Sequence, residues 1–262
     1  MLTLSLKNNN EVTDTRKGQE ETYLAFKRYA YQAGDYFELT TSEPGQYVWV
    51  QMDAAIEPSL IFMRECNWRY NVILEESLKR AYSPSVFMGE RHYAKAWLPT
   101  KEEVNQYRNL AKNSHDQKDD SYVYPHAFAN VETRNDSTFF ARNAIDGILA
   151  NEDHGAYPYQ SWGINQRSDA KITIDFGCEV LIDKLALVLR ADYPHDSFWT
   201  QVTVELSTGE EYIFQTTDSL DRQFFDLPKT KITHLTLKEL IKNEDESPFP
   251  ALTQIEVYGK IG

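Results

Sequence analysis

The sequence predicts an all-β protein built as two β-sandwich, jelly-roll-like domains. Short segments that alternate apolar and polar side chains recur roughly every 8 to 12 residues, the spacing of sandwich strands. Aromatics make up 13% of the chain, and 16 Tyr stand against 4 Met, a bias toward strands. Helical spacing is confined to one short stretch, so a helical or α/β architecture is excluded.

Taken in order, Leu2–Leu6 alternates as a strand, and residues 7–21 read as a polar loop or mobile segment without periodicity. Strands follow at 22–31, 35–40 and 47–52, separated by Ala33-Gly34 and Glu43-Pro44-Gly45 turns. Further strands are expected at 59–63, 67–73 and 92–98, with one helical turn at 75–80. Thr100 followed by Glu103 fits a reciprocal helix cap, and Val104, Tyr107, Leu110 and Ala111 extend a helix to about Asn113. Residues 113–121, NSHDQKDDS, are polar throughout and form the best linker, which divides the chain into domains at 1–117 and 118–262. Beyond it, strands are expected at 127–133, 170–177, 180–190, 201–206, 211–215, 223–227, 232–237 and 254–258.

Charge narrows the partners. The net charge is −13. Residues 1–120 hold 15 basic and 18 acidic side chains, whereas residues 121–262 hold 12 and 22. So acidic a second half repels phosphate backbones and anionic membranes, and favours a divalent cation or a neutral polar ligand. The bland alternative is that the acidic surface only maintains solubility. Cys66 and Cys178 fall in different halves, which excludes a bridge within one domain and suggests a reducing compartment. The first residues, MLTLSLKNNNEVTD, lack a basic start and a long apolar core, so they do not read as a secretory signal. No apolar run reaches membrane-span length, and the chain reads as cytoplasmic.

The most informative stretch is Asn143–Gly163, NAIDGILANEDHGAYPYQSWG. It is too polar and too broken by Gly and Pro for a strand, yet too aromatic for a disordered linker. It therefore reads as a shaped loop, the kind of segment that carries binding groups. After it come a strand ending Ile-Asp-Phe-Gly at 174–177 and a terminal Ile-Glu-Val-Tyr-Gly at 255–259. With the Ala-Ile-Asp-Gly turn at 144–147 and Ser-Trp at 161–162, these motifs resemble the discoidin (coagulation factor 5/8 C-type) domains of the galactose-binding-like superfamily. The resemblance covers residues 124–262, about half of the chain.

The resemblance implies a structural Ca2+ site, held by the Asp of the Asp-Gly turn, loop carbonyls and an acidic residue of the last strand. Asp146 matches, with Asn151, Glu152 and Asp153 close in sequence as oxygen donors of the kind calcium takes. The last-strand position is Gln254 rather than an acid, although Glu256 shares its face. The expected ligands are Asp146, Asn151 and Glu256. Alternatively, Asp146 simply caps its own turn.

A carbohydrate site is the second expectation. Residues 190–199, RADYPHDSFW, gather Arg190, Asp192, His195 and Asp196 to hydrogen-bond hydroxyls, with Trp199 as an aromatic wall. Trp162, Tyr159 and His154 lie in the other long loop. A second arrangement fits equally: Arg190 ion-paired to Asp192 or Asp196, and Trp199 in the core. The expected function is non-catalytic carbohydrate binding, with a protein-interaction module or an intracellular carbohydrate-active enzyme as alternatives. Catalysis has little support. Asp192 and Asp196 are one forced carboxylate pair, and no nucleophile-elbow, zinc-protease or phosphate-loop motif is present.

Overall fold

The computed structural model describes residues 1–119, 122–190 and 197–262, and its regular structure is mostly strand, as expected. The first part of the chain supplies β1 (Leu2–Asn8), β2 (Glu11–Gly18), β3 (Glu21–Phe26), β4 (Asp35–Thr41), β5 (Gln46–Gln51), β6 (Ser59–Met63), β7 (Asn67–Asn71) and β8 (His92–Trp97). Two short helices interrupt it, α1 (Glu76–Lys79) and α2 (Lys101–Asn105). Then come β9 (Arg108–Asn109), β10 (Val123–Tyr124), β11 (His126–Ala129), β12 (Trp162–Gly163), β13 (Ile172–Leu189), β14 (Trp199–Leu206), β15 (Glu211–Gln215), β16 (Gln223–Lys242) and β17 (Ala251–Ile261).

The first unit packs a β2-β1-β4-β7 sheet on a β10-β6-β5-β8-β3 sheet, all neighbours antiparallel. Alternation sets the layers. In β7, Trp68 and Tyr70 point inward while Asn67, Arg69 and Asn71 face solvent. The inward residues join Leu4, Phe37, Val50 and Ile61 in one core. Residues 7–21 are not a loop. They carry β2 and the turns that flank it, and β2 was illegible because almost all of it is exposed, which leaves no alternation to read.

The second unit is one sheet in the order β12-β17-β13-β16-β14-β15, with β11 on β13 and β9 on β17. Its core includes Trp162, Ile172, Leu187, Trp199, Val202, Leu235 and Ile255. The two strands expected at 170–177 and 180–190 form one strand, β13, with an irregularity between Asp175 and Val180. Gly177 makes this possible. Its φ is +71°, and a Cβ there would lie 2.3 Å from the Tyr124 ring. The segments at 223–227 and 232–237 likewise merge in β16. Pro228 falls where the register jumps between Asp226 and Thr230, a bulge that spares the ladder a missing N–H.

The reciprocal cap at Thr100 is present. The Glu103 N–H donates to Thr100 Oγ1 at 3.2 Å, and the Thr100 N–H donates to Glu103 Oε2 at 2.8 Å. The helix nonetheless stops at Asn105, well short of Asn113, because Arg108 and Asn109 pair with β17 instead. Tertiary pairing overrides a weak local preference.

The expected boundary near residue 118 runs through an interlaced segment. Leu110 and Ala111 belong to the second core, Val123 to the first, and β10 pairs with β6. Residues between them bind both units. The Asp116 carboxylate holds His126 Nδ1 at 2.7 Å and accepts from the Ala127 N–H at 3.0 Å. The Met52 N–H donates to His115 Nε2 at 3.0 Å, inside the first unit. The two cysteines are not joined to each other, and Cys178 Sγ lies 2.9 Å from Tyr47 Oη across the halves. Among the described residues, no helix is long and apolar enough to cross a membrane.

His115 gives this junction a pH dependence. Because Nε2 accepts a hydrogen bond, the proton sits on Nδ1 and the ring is neutral. Burial, with Arg142 nearby, lowers its pKa to about 3 from an ordinary value of 6.5. The folded value is depressed, so the contribution is present above about pH 6.5 and is lost as pH falls toward 3, where the unfolded chain alone takes the proton. We expect His115→Gln to flatten the stability profile in that window by up to about 1.4 kcal/mol per pH unit. Urea titrations of both proteins between pH 4 and 7 check this. Parallel slopes would refute it.

Candidate functional site

The shaped loop is built on a buried polar network. After a 3-10 turn over Ala141–Ile145, Asp146 is buried and Gly147 takes a φ of +87°. Asp146 Oδ1 accepts from the Ile148 N–H at 2.8 Å and from Gln254 Nε2 at 2.9 Å, and Oδ2 accepts from Gln160 Nε2 at 2.7 Å. Gln254 Nε2 also donates to the carbonyls of Asn143 and Thr253, both at 2.6 Å, while its Oε1 accepts from the Gly147 N–H at 2.9 Å. Burial pushes the Asp146 carboxyl above its ordinary range, and Arg142, Gln160, the Ile148 N–H and Gln254 pull it back.

This geometry does not fit calcium at the expected ligands. Asn143 O and Asp146 Oδ1 are both already engaged by the Gln254 amide. Asn151 is turned away, with Nδ2 donating to Leu189 O at 2.7 Å and Leu220 O at 3.0 Å. Glu256 accepts from Arg222 Nε and Tyr258 Oη, each at 2.9 Å. Among the described residues, no group of three His, Cys, Asp or Glu side chains is placed to hold a metal.

The expected sugar-binding residues divide. Trp162 and Trp199 are each 0% exposed, with ring centroids 6.3 Å apart in the core. Trp162 Nε1 donates to Val131 O at 2.9 Å. Neither ring has a face to offer a sugar, so both expectations are corrected: apolar area drives them inward, and for Trp162 a backbone carbonyl satisfies the indole N–H. Tyr159 is half-buried in its own turn. Asp192, His195 and Asp196 lie outside the described residues.

Arg190 and His154 fall along one cleft. Both line a cleft of about 130 Å³ at one rim of the second unit, with Thr133, Arg134, Phe139, Asn165, Gln166 and Phe249. Arg190 directly follows β13, is buried, and donates from a terminal nitrogen to Phe249 O at 2.5 Å. His154 is exposed beside Asp153, 3.6 Å from Nδ1 to Oδ1. Arg134, Asn165 and Gln166 are exposed and have φ of 55°, 49° and 61°, in the left-handed region that non-glycine residues avoid. Thr133 Oγ1 fixes one of these turns by accepting from the Asn165 N–H at 2.9 Å. A Cβ on Gly163 would lie 2.6 Å from that same oxygen, so the turn packs against bare backbone.

Sequence reasoning missed Arg134, Asn165 and Gln166. The only signals were two polar runs, Glu132–Asp136 and Asn165–Asp169, each beside an apolar segment. The cleft offers guanidinium and amide donors around two half-buried aromatic rings, Phe139 and Phe249. No carboxylate lines it among the described residues.

No family model matches the chain, and no curated protein matches it in sequence. Solved structures do resemble about half of it. The Clostridium perfringens module CpGH89CBM32-5, in complex with GalNAc-β-1,3-galactose, is 21% identical over 51% of this chain and 94% of its own, with a TM-score of 0.40. Chitosan-binding module 1 from a Paenibacillus sp. IK-5 chitosanase/glucanase is 17% identical over 58% and 98%, with a TM-score of 0.41. A Streptococcus pneumoniae fucose binding module is 18% identical over 57% and 96%, with a TM-score of 0.39.

The Gln254 network yields a sharp expectation. Chelator and added calcium should both leave the melting temperature of the native chain unchanged. Gln254→Glu places a second carboxylate against Asp146 and removes the donor to Asn143 O. It should cost about 1–3 kcal/mol in chelator, and millimolar calcium should recover part of that loss. Scanning calorimetry in both conditions tests this, and a native chain that melts earlier in chelator would overturn it.

Proposed function

We propose that the C-terminal half is a non-catalytic carbohydrate-binding domain of the discoidin type and that the rim cleft is its ligand site. The observation that carries this reading is the convergence of Arg134, Asn165 and Gln166 on one cleft with Arg190 and His154. Sugar hydroxyls are read by planar, directional donors, which guanidinium and carboxamide groups supply. Sugar C–H faces pack on aromatic rings, here Phe139 and Phe249 in place of the expected tryptophans. Three polar side chains held in a costly backbone conformation at one rim are what a pre-organised site requires. The solved structures named above are described with GalNAc-β-1,3-galactose, chitosan and fucose as ligands. The reading rests on the cleft. A neutral sugar also suits an acidic protein, because it suffers no long-range repulsion.

A glycan array followed by calorimetric titration of the best monosaccharide tests the proposal. Arg134→Ala and Gln166→Ala should each weaken binding about tenfold, the loss of one good hydrogen bond, without moving the melting temperature by more than about a degree. Phe249→Ala should weaken it comparably. An array without signal, or affinity unchanged in all three variants, would remove this function.

A further inference from the structure

A second and larger cleft, about 540 Å³, opens at the junction of the two units and shares no lining residue with the rim cleft. Its walls include Asn67, Trp68, Arg69 and Asn71 of β7, the last strand on its side of the β2-β1-β4-β7 sheet. Trp68 points to the inner face of that sheet, and Asn67, Arg69 and Asn71 point to the outer face. A cleft lined by residues of both faces runs along the strand's edge.

The hydrogen-bond register shows what that edge presents. The Thr41 N–H donates to Cys66 O, and the Val72 N–H donates to Asp35 O, so even-numbered residues of this stretch bond inward to β4. The odd-numbered residues therefore direct their N–H and C=O groups outward. At Asn71 both groups are taken by one side chain. Gln117 Oε1 accepts from the Asn71 N–H at 3.1 Å, and Gln117 Nε2 donates to Asn71 O at 2.9 Å. This is the two-point contact that a neighbouring strand makes. Among the described residues, no backbone group takes the same positions at Arg69 and Asn67.

We propose that this edge binds a short extended peptide with alternating apolar and acidic side chains. The peptide continues along β7 the pairing that Gln117 begins, a form of strand addition. Its inward side chains meet Leu78 and Tyr122, the exposed apolar residues of the lining, and its outward ones meet Arg69. Charge selects the acidic class. In a chain of net charge −13, the cleft is lined by Arg69, Lys118 and Arg142 against Glu38 and Asp119. Glu38 is engaged by Lys7 and Lys118 by Glu132, at 3.0 Å, whereas Arg69, whose Nε donates to Asn71 Oδ1 at 2.9 Å, is in no ion pair among the described residues. Arg142 is buried and, among the described residues, has no carboxylate within ion-pair distance; its donors go to Asp116 O at 2.8 Å, Asn143 Oδ1 at 3.1 Å and Ser114 O at 3.5 Å. This site is independent of the sugar cleft.

The test uses the full chain and the synthetic peptide acetyl-Val-Glu-Val-Glu-Val-amide, followed by amide NMR and hydrogen exchange. Binding should slow exchange of the Asn67 and Arg69 amides at least tenfold. N-methylating two alternate peptide nitrogens should weaken affinity at least tenfold, and replacing both Glu by Lys should weaken it further. Arg69→Pro, which removes an outward N–H while leaving the ladder to β4 intact, should abolish binding without altering the second unit's spectrum. The proposal fails if the parent peptide does not bind at millimolar concentration. It also fails if the N-methylated peptide binds equally well, or if protection appears elsewhere.

Discussion

One buried carboxamide organises the second half of the molecule. Gln254, in the last strand, reaches across to Asp146 and to the Asn143 carbonyl, and it takes the Gly147 N–H in return. A loop with little regular structure is thereby fixed to the centre of a sheet. Asn143, Asp146, Gln160 and Gln254 are buried, so their polar groups need partners, and the bonds they make restrict the loop to few conformations. The ordering of this loop is supplied by hydrogen bonds.

The consequence reaches the rim. The Asn143 side chain donates to Ser137 O at 2.9 Å and Ser161 O at 3.1 Å, which ties the 3-10 segment before the loop to the strand after it. Trp162–Gly163 pairs with Leu252–Ala251, and Gly163 and Ala251 both line the cleft. The backbone that carries the exposed Gln166 is therefore joined to a scaffold fixed by sheet pairing and buried hydrogen bonds.

Alternation made most of the architecture legible. Wherever one face of a strand is buried, as in β7 or β14, the pattern identified it. It failed at β2, whose residues nearly all meet solvent, and it could not show that β13 and β16 run unbroken through irregularities. The site was legible only in part. Arg190 and His154, both singled out from the sequence as polar residues beside loops, line the cleft. Trp162 and Trp199 misled because a tryptophan beside a loop reads the same whether it faces water or core. Arg134, Asn165 and Gln166 escaped because their importance lies in backbone angles that no periodicity encodes.

The crossing of the chain between the two cores has a practical side. Residues 108–111 serve the second sheet, residues 123–124 return to the first, and His126 re-enters the second. No single scissile position separates the halves cleanly. A single cut before residue 123 takes β10 from the first sheet, and one after residue 109 takes β9 from the second, leaving a raw, adhesive border.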